Sequence, residues 1–182
     1  MQNSDIIWQL VDAKREAFEA LSDRVFDMPE IAYTEFRSVA EHKAELERQG
    51  FRITENLAGI PTAIMGEAGE DGPVIAILGE YDALPGLSQE AGATEPTPLP
   101  GDGMGHGCGH NLLGSGALLA ATAVKDWLAA QGIKGRVRYY GCPAEEGGAA
   151  KGFMVREGCF DDVDVAITWH SMPFAGVNDA LS

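Results

Sequence analysis

The 182 residues carry 13 Lys and Arg against 28 Asp and Glu, a net charge of −15, and 45% of them are hydrophobic. That is one domain's worth of chain, able to bury roughly 70% of its unfolded surface; the hydrophobic share excludes disorder, and the charge argues against nucleic acid and anionic membrane surfaces as partners. The 23 glycines show no period, which excludes collagen, and three cysteines (Cys108, Cys142, Cys159) make no disulfide framework.

Residues 5–28 read as one amphipathic helix. Ile7, Leu10, Val11, Lys14, Phe18, Leu21 and Val25 follow helical spacing, with Ser4 or Asp5 as cap and Pro29 as stop. A second helix is predicted over 34–49, with Phe36, Val39, Ala40, Ala44 and Leu46 as its apolar face and Gly50 just past its end. His42, on this polar helix, is expected to face solvent. Short strands are predicted at 51–54 and 62–65, a turn at Glu70-Asp71-Gly72, and a strand buried on both faces at 74–79. A Pro- and Gly-rich loop at 83–109 is long enough to be functional. A buried helix follows at 111–131, whose apolar run at 112–124 is too short to span a bilayer. Residues 136–141 read as a strand, 148–156 as a short helix, 163–169 as another buried strand, and 172–182 as no element. Residues 1–10 lack the basic and apolar regions of a signal peptide, so a soluble cytoplasmic setting is expected. The order α-α-β-β-β-loop-α-β-α-β, with β-α-β crossovers in its later part, implies a layered α/β domain.

Four clusters could carry chemistry. Gly105-His106-Gly107-Cys108-Gly109-His110-Asn111 offers thiolate and imidazole, the donors that borderline-soft divalent metals prefer. On an extended backbone Cys108 and His110 would share one side; a Gly-rich connector is the plainer reading. Pro143-Ala144-Glu145-Glu146-Gly147-Gly148 follows a strand end, where ligands sit in open α/β sheets. If its backbone is extended, one carboxylate can ligate a metal while its neighbour faces a water as general base; a solvated acidic turn is the alternative. Trp169-His170 ends a third strand, where a lone His is either structural or a ligand. In Gly79-Glu80-Tyr81-Asp82-Ala83-Leu84-Pro85, Asp82 either orients a ligating His or caps the turn. All four clusters fall at strand C-termini or on the adjoining loop, and Cys, His, Glu and His together suit a hydrolytic metal centre. Cys108 as a catalytic thiol is the weaker reading, because no Cys-His-acid order is evident. Cys142 and Cys159 are expected to be buried structural thiols.

The strings GEYDALPGLSQ, GHGCGHNLLG, YGCPAEEGG, KGFMVREGCFDDVD and TWH resemble the metal-dependent aminoacylase and carboxypeptidase family of amidohydrolases. The similarity runs along nearly all of the chain and is greatest to the branch acting on p-aminobenzoyl-glutamate. The resemblance implies a helix–sheet–helix catalytic domain of the zinc-carboxypeptidase/aminopeptidase-like type, interrupted by a smaller lid or dimerisation domain. Residues 1–182 would then be the N-terminal part of the catalytic domain, without the lid or the C-terminal catalytic segment and its final metal-binding His. By the same resemblance Cys108, His110, Glu146 and His170 match metal ligands, Glu145 matches the general base, and Asp82 matches the aspartate of the D-A-L-P motif near the metals. Asn111 stands where many relatives have Asp, a departure that this branch shares. Two divalent ions, manganese or zinc, are implied, with a small N-acyl glutamate from folate breakdown as substrate. A companion subunit and a homo- or hetero-oligomeric full-length protein are implied as well, and the short chain alone is expected to be a poor catalyst. Another N-acyl amino acid or dipeptide amidase of the same family and a non-catalytic remnant are the alternatives.

Overall fold

The computed structural model describes residues 3–172. The helix expected over 5–28 is two helices, α1 (Asn3–Asp12) and α2 (Arg15–Phe26). The break falls at Lys14, which the apolar spacing places on the inward face. There its Nζ meets Gln49 Oε1 at 2.8 Å and Asp126 at 3.3 Å, and the residue is the N-cap of α2 (φ −112°, ψ 0°). Ser4 and Asp5 lie inside α1 rather than before it.

The next helix, α3 (Phe36–Arg48), keeps Val39 and Leu46 of the expected apolar face inward but not Phe36 or Ala40. Phe36 is 57% exposed and Ala40 is exposed, while Ser38, Val39, His42, Glu45 and Leu46 are buried. Glu30 caps the helix from outside. Its carboxylate accepts the backbone N–H groups of Arg37 at 3.0 Å and Ser38 at 2.9 Å, an anion where the helix dipole favours one.

His42 does not face solvent: it is fully buried. Its position one turn beyond Ser38 puts it on the inward row, where Nδ1 lies 2.9 Å from Ser38 O. The ring stacks on Tyr139 at 6.0 Å and tilts against Tyr81 at 5.0 Å. Burial lowers its pKa from 6.5 to about 4. The unfolded chain therefore binds more protons between those values, so this contribution is complete above pH 6.5 and is lost as pH falls toward 4. The shift corresponds to about 3 kcal/mol. Chemical-denaturation midpoints are expected to fall between pH 6.5 and 5, and His42→Asn, which does not titrate, is expected to flatten part of that slope. An unchanged slope in the variant would contradict the assignment.

Five strands form one sheet: β1 (Arg52–Glu55), β2 (Ile64–Glu70), β3 (Val74–Glu80), β4 (Gly135–Cys142) and β5 (Val165–Ile167). Their order is β1-β2-β4-β3-β5. The β1/β2 and β2/β4 pairs are antiparallel; β3/β4 and β3/β5 are parallel. The turn at Asp71-Gly72 forms with both residues left-handed (φ 54° and 68°), but β4 enters between the two strands it joins. A Cβ on Gly69 (φ +86°) would stand 2.1 Å from Gly135 O, so the close approach of β4 requires glycine there.

Among the described residues three further α-helices follow, α4 (His110–Gln131), the single turn α5 (Glu145–Gly148) and α6 (Ala150–Arg156), besides a 3-10 turn at Leu57–Gly59. On one face of the sheet Phe18, Leu21, Val25 and Leu46 pack with Leu118, Ala121, Ile77, Val137 and Tyr139. On the other, Met154 and Ala150 of α6 pack with Ala76, Tyr140 and Cys142. Alternation along β4 sends Val137 and Tyr139 to one layer and Tyr140 and Cys142 to the other. The helix–sheet–helix layering is as expected. Cys142 is buried and Cys159 partly so, both as free thiols.

Two expectations change. At 22 residues α4 is long and apolar enough to cross a membrane, longer than the apolar run suggested; its Leu113, Ala117, Leu118 and Ala121 are instead buried in the core. The strand expected to be buried at 163–169 is the three-residue β5, with Val165 and Ile167 each 50% exposed. It occupies the outer position of the sheet and pairs with β3 alone among the described residues, so its apolar composition lacks a second neighbour. Of the terminal stretch expected to hold no element, residues 173–182 lie outside the described residues.

Candidate metal centre

Adjacent parallel strands β4, β3 and β5 end at one edge of the sheet, the edge where α/β domains bind ligands. The end of β3 delivers Glu80 and Asp82, the end of β4 delivers Glu145 and Glu146, and the segment after β5 delivers His170. The loop before α4 brings Cys108, and His110 is the first residue of that helix.

His110 is fully buried. Its Nδ1 lies 3.0 Å from Asp82 O and 3.1 Å from Asp82 Oδ1. Two acceptors at Nδ1 place the proton there and leave Nε2 as the free lone pair. Glu80 Oε2 approaches Nε2 to 3.1 Å and Glu145 Oε2 to 3.9 Å, but neither is aligned for a hydrogen bond, so this buried nitrogen has no hydrogen-bond partner. Burial opposes charge on the ring, yet Asp82 and Glu80 outweigh it and raise the pKa.

Two triads share His110. Ligand atoms of Cys108, His110 and His170 lie within 4.8 Å of one another, and so do those of Glu80, His110 and Glu145. Cys108 Sγ is 3.2 Å from His170 Nε2, while His170 Nδ1 turns toward Ser171 O at 2.9 Å. Cys108 and His110 meet around left-handed Gly109 (φ 80°), not along the extended strand expected. Burial first, and then Glu146, Glu145 and Glu80, push the Cys108 thiol up to about 12. The site therefore combines an unpartnered buried imidazole nitrogen with a crowd of carboxylates. Lys151 Nζ, 2.5 Å from Glu80 Oε1, offsets part of the negative charge. That donor set fits a divalent cation, which would reverse the balance and favour the thiolate.

Glu145 and Glu146 are not on extended backbone. They sit on α5, which is flanked by left-handed Ala144 (φ 52°) and Ala149 (φ 51°) and kinked at Glu146 and Gly147. The kink separates the two carboxylates: Glu145 approaches His110, while Glu146 lies on the Cys108 side and helps to raise the pKa of that thiol. The Glu146 N–H donates to Asp82 Oδ2 at 2.9 Å. Asp82 thus holds both His110 and the carboxylate turn.

Sequence reasoning passed over Glu80. Its place two residues before Asp82 on β3, on the same side of the strand, was the available signal. Two residues of the Gly-rich motif have structural roles. His106 Nε2 lies 3.1 Å from Val25 O, and Asn111 Nδ2 donates to Ser22 Oγ at 3.0 Å, so both tie the loop to α2.

Thiol, imidazole and carboxylate groups thus converge at the C-terminal edge of the sheet, a donor set suited to a divalent metal. The model of peptidase family M20/M25/M40 matches residues 76–180, and the chain belongs to that family. It is 54% identical over 168 residues to a subunit of p-aminobenzoyl-glutamate hydrolase from Escherichia coli (strain K12), covering 92% of this chain and 35% of that protein. It is 33% identical over 147 residues to N-acetyl-L-cysteine deacetylase of Bacillus subtilis (strain 168), covering 80% and 34%. The crystal structure of the Bacillus subtilis YXEP protein, a dinuclear metal binding peptidase from the M20 family, superposes with a TM-score of 0.63 at 29% identity, covering 85% of this chain and 44% of that one. The chain spans about a third of the length of these curated relatives.

Proposed function

We propose that residues 1–182 are the N-terminal part of the catalytic domain of a cytoplasmic amidohydrolase that cleaves p-aminobenzoyl-glutamate to p-aminobenzoate and glutamate, a step of folate breakdown. The observation that carries this reading is the convergence of Cys108, His110 and His170 within 4.8 Å, with the Glu145 carboxylate 3.9 Å from His110 Nε2. The 54% identity to the Escherichia coli protein supports the substrate. That relative is named as one subunit of its enzyme, which supports a companion subunit for this chain, within a homo- or hetero-oligomer.

Cys108, His110, Glu146 and His170 would hold two divalent ions, zinc or manganese. Bound there, such ions supply Lewis-acid polarisation of a water and of the amide carbonyl. Glu80, within ligand distance of His110, adds a further carboxylate. Asp82 keeps the His110 proton at Nδ1 and so holds Nε2 toward the site. Glu145 is the group with access: its side chain is 43% exposed, open to both water and substrate. Its carboxylate accepts the proton of the attacking water and returns it to the leaving arylamine nitrogen.

The test is hydrolysis by the longest reading frame that contains these residues, loaded with manganese or zinc. Release of p-aminobenzoate, abolished by chelation, is expected, with N-acetyl-cysteine cleaved at least tenfold more slowly. Cleavage of N-acetyl amino acids but not of the p-aminobenzoyl amide would overturn the substrate assignment, in favour of the reading that the deacetylase relative supports.

A further inference from the structure

The segment joining α2 to α3 makes no contribution to the ligand set, yet it bonds directly to the two loops that carry it. Glu30 O accepts the N–H of Ala83, next to Asp82, at 2.8 Å. Glu35 is fully buried, and its Oε1 accepts two backbone N–H groups, Ala144 at 2.8 Å and Tyr33 at 2.9 Å. The Tyr33 hydroxyl donates to Gly148 O at 2.6 Å. Ala144 and Gly148 bracket α5, so one short strap holds both ends of the turn that bears Glu145 and Glu146.

Neither an ordinary capping role nor packing explains Glu35. It stands at the N-terminus of α3 but makes no capping hydrogen bond; Glu30 performs that task. A carboxyl group is costly to bury, and Glu35, beside the Thr62 hydroxyl, leaves its Oε2 without a well-aligned hydrogen bond. The turn that it grips needs external support. Both flanking residues, Ala144 and Ala149, are left-handed, a conformation that L-residues hold only where the surroundings over-determine it. A four-residue turn kinked in its interior has little stability of its own.

We propose that Tyr33 and Glu35 are positioning residues: by gripping Ala144 N–H and Gly148 C=O they set where Glu145 and Glu146 stand relative to His110 and Cys108. The catalytic consequence rests on the proposed hydrolase reading; the grip is a property of the fold and is measurable without turnover. Amide hydrogen exchange over 143–149 and cobalt(II) titration are compared for wild type, Glu35→Ala, Glu35→Gln and Tyr33→Phe. Loss of a hydrogen bond that holds a buried N–H is expected to speed local exchange by roughly tenfold in Glu35→Ala, with α4 and β3 protected as before. Glu35→Gln keeps an oxygen acceptor and is expected to restore protection to within about threefold of wild type. Tyr33→Phe, which loses one side-chain bond at the far end of the turn, is expected to speed exchange there by about three- to tenfold. The d–d bands of bound cobalt are expected to shift in Glu35→Ala and return in Glu35→Gln. If Glu35→Ala unfolds, seen as lost protection of α4, Tyr33→Phe decides alone. Unchanged exchange over 143–149 in folded Glu35→Ala and Tyr33→Phe, or unchanged cobalt bands in folded Glu35→Ala, would overturn the proposal. Absence of hydrolysis by the metal-loaded longest reading frame that contains these residues would overturn the proposed function and leave the exchange comparison standing.

Discussion

In the longest reading frame that contains these residues, Glu145→Gln is expected to lower amide hydrolysis by about 10²–10⁴-fold, the usual worth of a positioned general base, while the bound metal stays in place. The substitution preserves size and leaves one oxygen facing the site but removes the proton-accepting charge. Glu145 is the exposed member of its triad, with Glu80 and His110 buried beside it, and Cys108 and His170 meet in a second triad that does not include it. Loss of its charge therefore leaves the thiol, both imidazoles, Glu80 and Glu146 available as donors. Steady-state kinetics with metal content measured on the same sample is the check. Activity within tenfold of wild type would remove Glu145 from the role of base, and loss of metal in parallel with activity would recast it as a ligand.

The second large effect is on stability. Gly114→Ala is expected to destabilise the fold by about 3 kcal/mol, the upper range for overpacking a filled site. A Cβ at this position would stand 2.4 Å from Glu80 O and 2.8 Å from His42 Nε2. The first of these is backbone at the end of β3 and cannot swing aside, so α4 has to move away from the strand. His110 lies one turn earlier on the same helix and Glu80 on the same strand, so the displacement separates two donors and weakens metal binding as well. Gly152→Ala on α6 is the control, since a Cβ there meets nothing within 4 Å. It is expected to stabilise by about 0.5–1 kcal/mol through helix propensity. Chemical denaturation of both variants reads the difference; a Gly114→Ala midpoint equal to wild type would show that α4 does not pack so closely on β3.

The element order and the placement of the site at strand ends were legible because periodicity and turn residues are local signals. The Gly-rich Cys108–His110 motif, the Glu145–Glu146 pair and His170 stood out for the same reason. Features that depend on tertiary neighbours did not. The apolar spacing runs straight through Lys14, whose partners Gln49 and Asp126 are distant in sequence, so the break there is not a local signal. His42 looks solvent-facing on a polar helix, yet Tyr81, just past the end of β3, and Tyr139 of β4 make a place for it inside. β5 has a core composition and an edge position, and composition alone does not distinguish the two. Glu35 was invisible as one of 28 acidic residues, because its partner Ala144 is 109 positions away.

The central claim is that Cys108, His110 and His170 form a divalent-cation site together with the surrounding carboxylates. Titration of the chain with cobalt(II), following thiolate-to-metal charge transfer, tests it most directly. Wild type is expected to bind cobalt with a charge-transfer band and to release a proton from the Cys108 thiol, which otherwise titrates only at about 12. Cys108→Ser is expected to lose the band and to bind at least tenfold more weakly, in line with removal of a metal ligand. Equal affinity in the two proteins, with no charge-transfer band in wild type, would contradict the account.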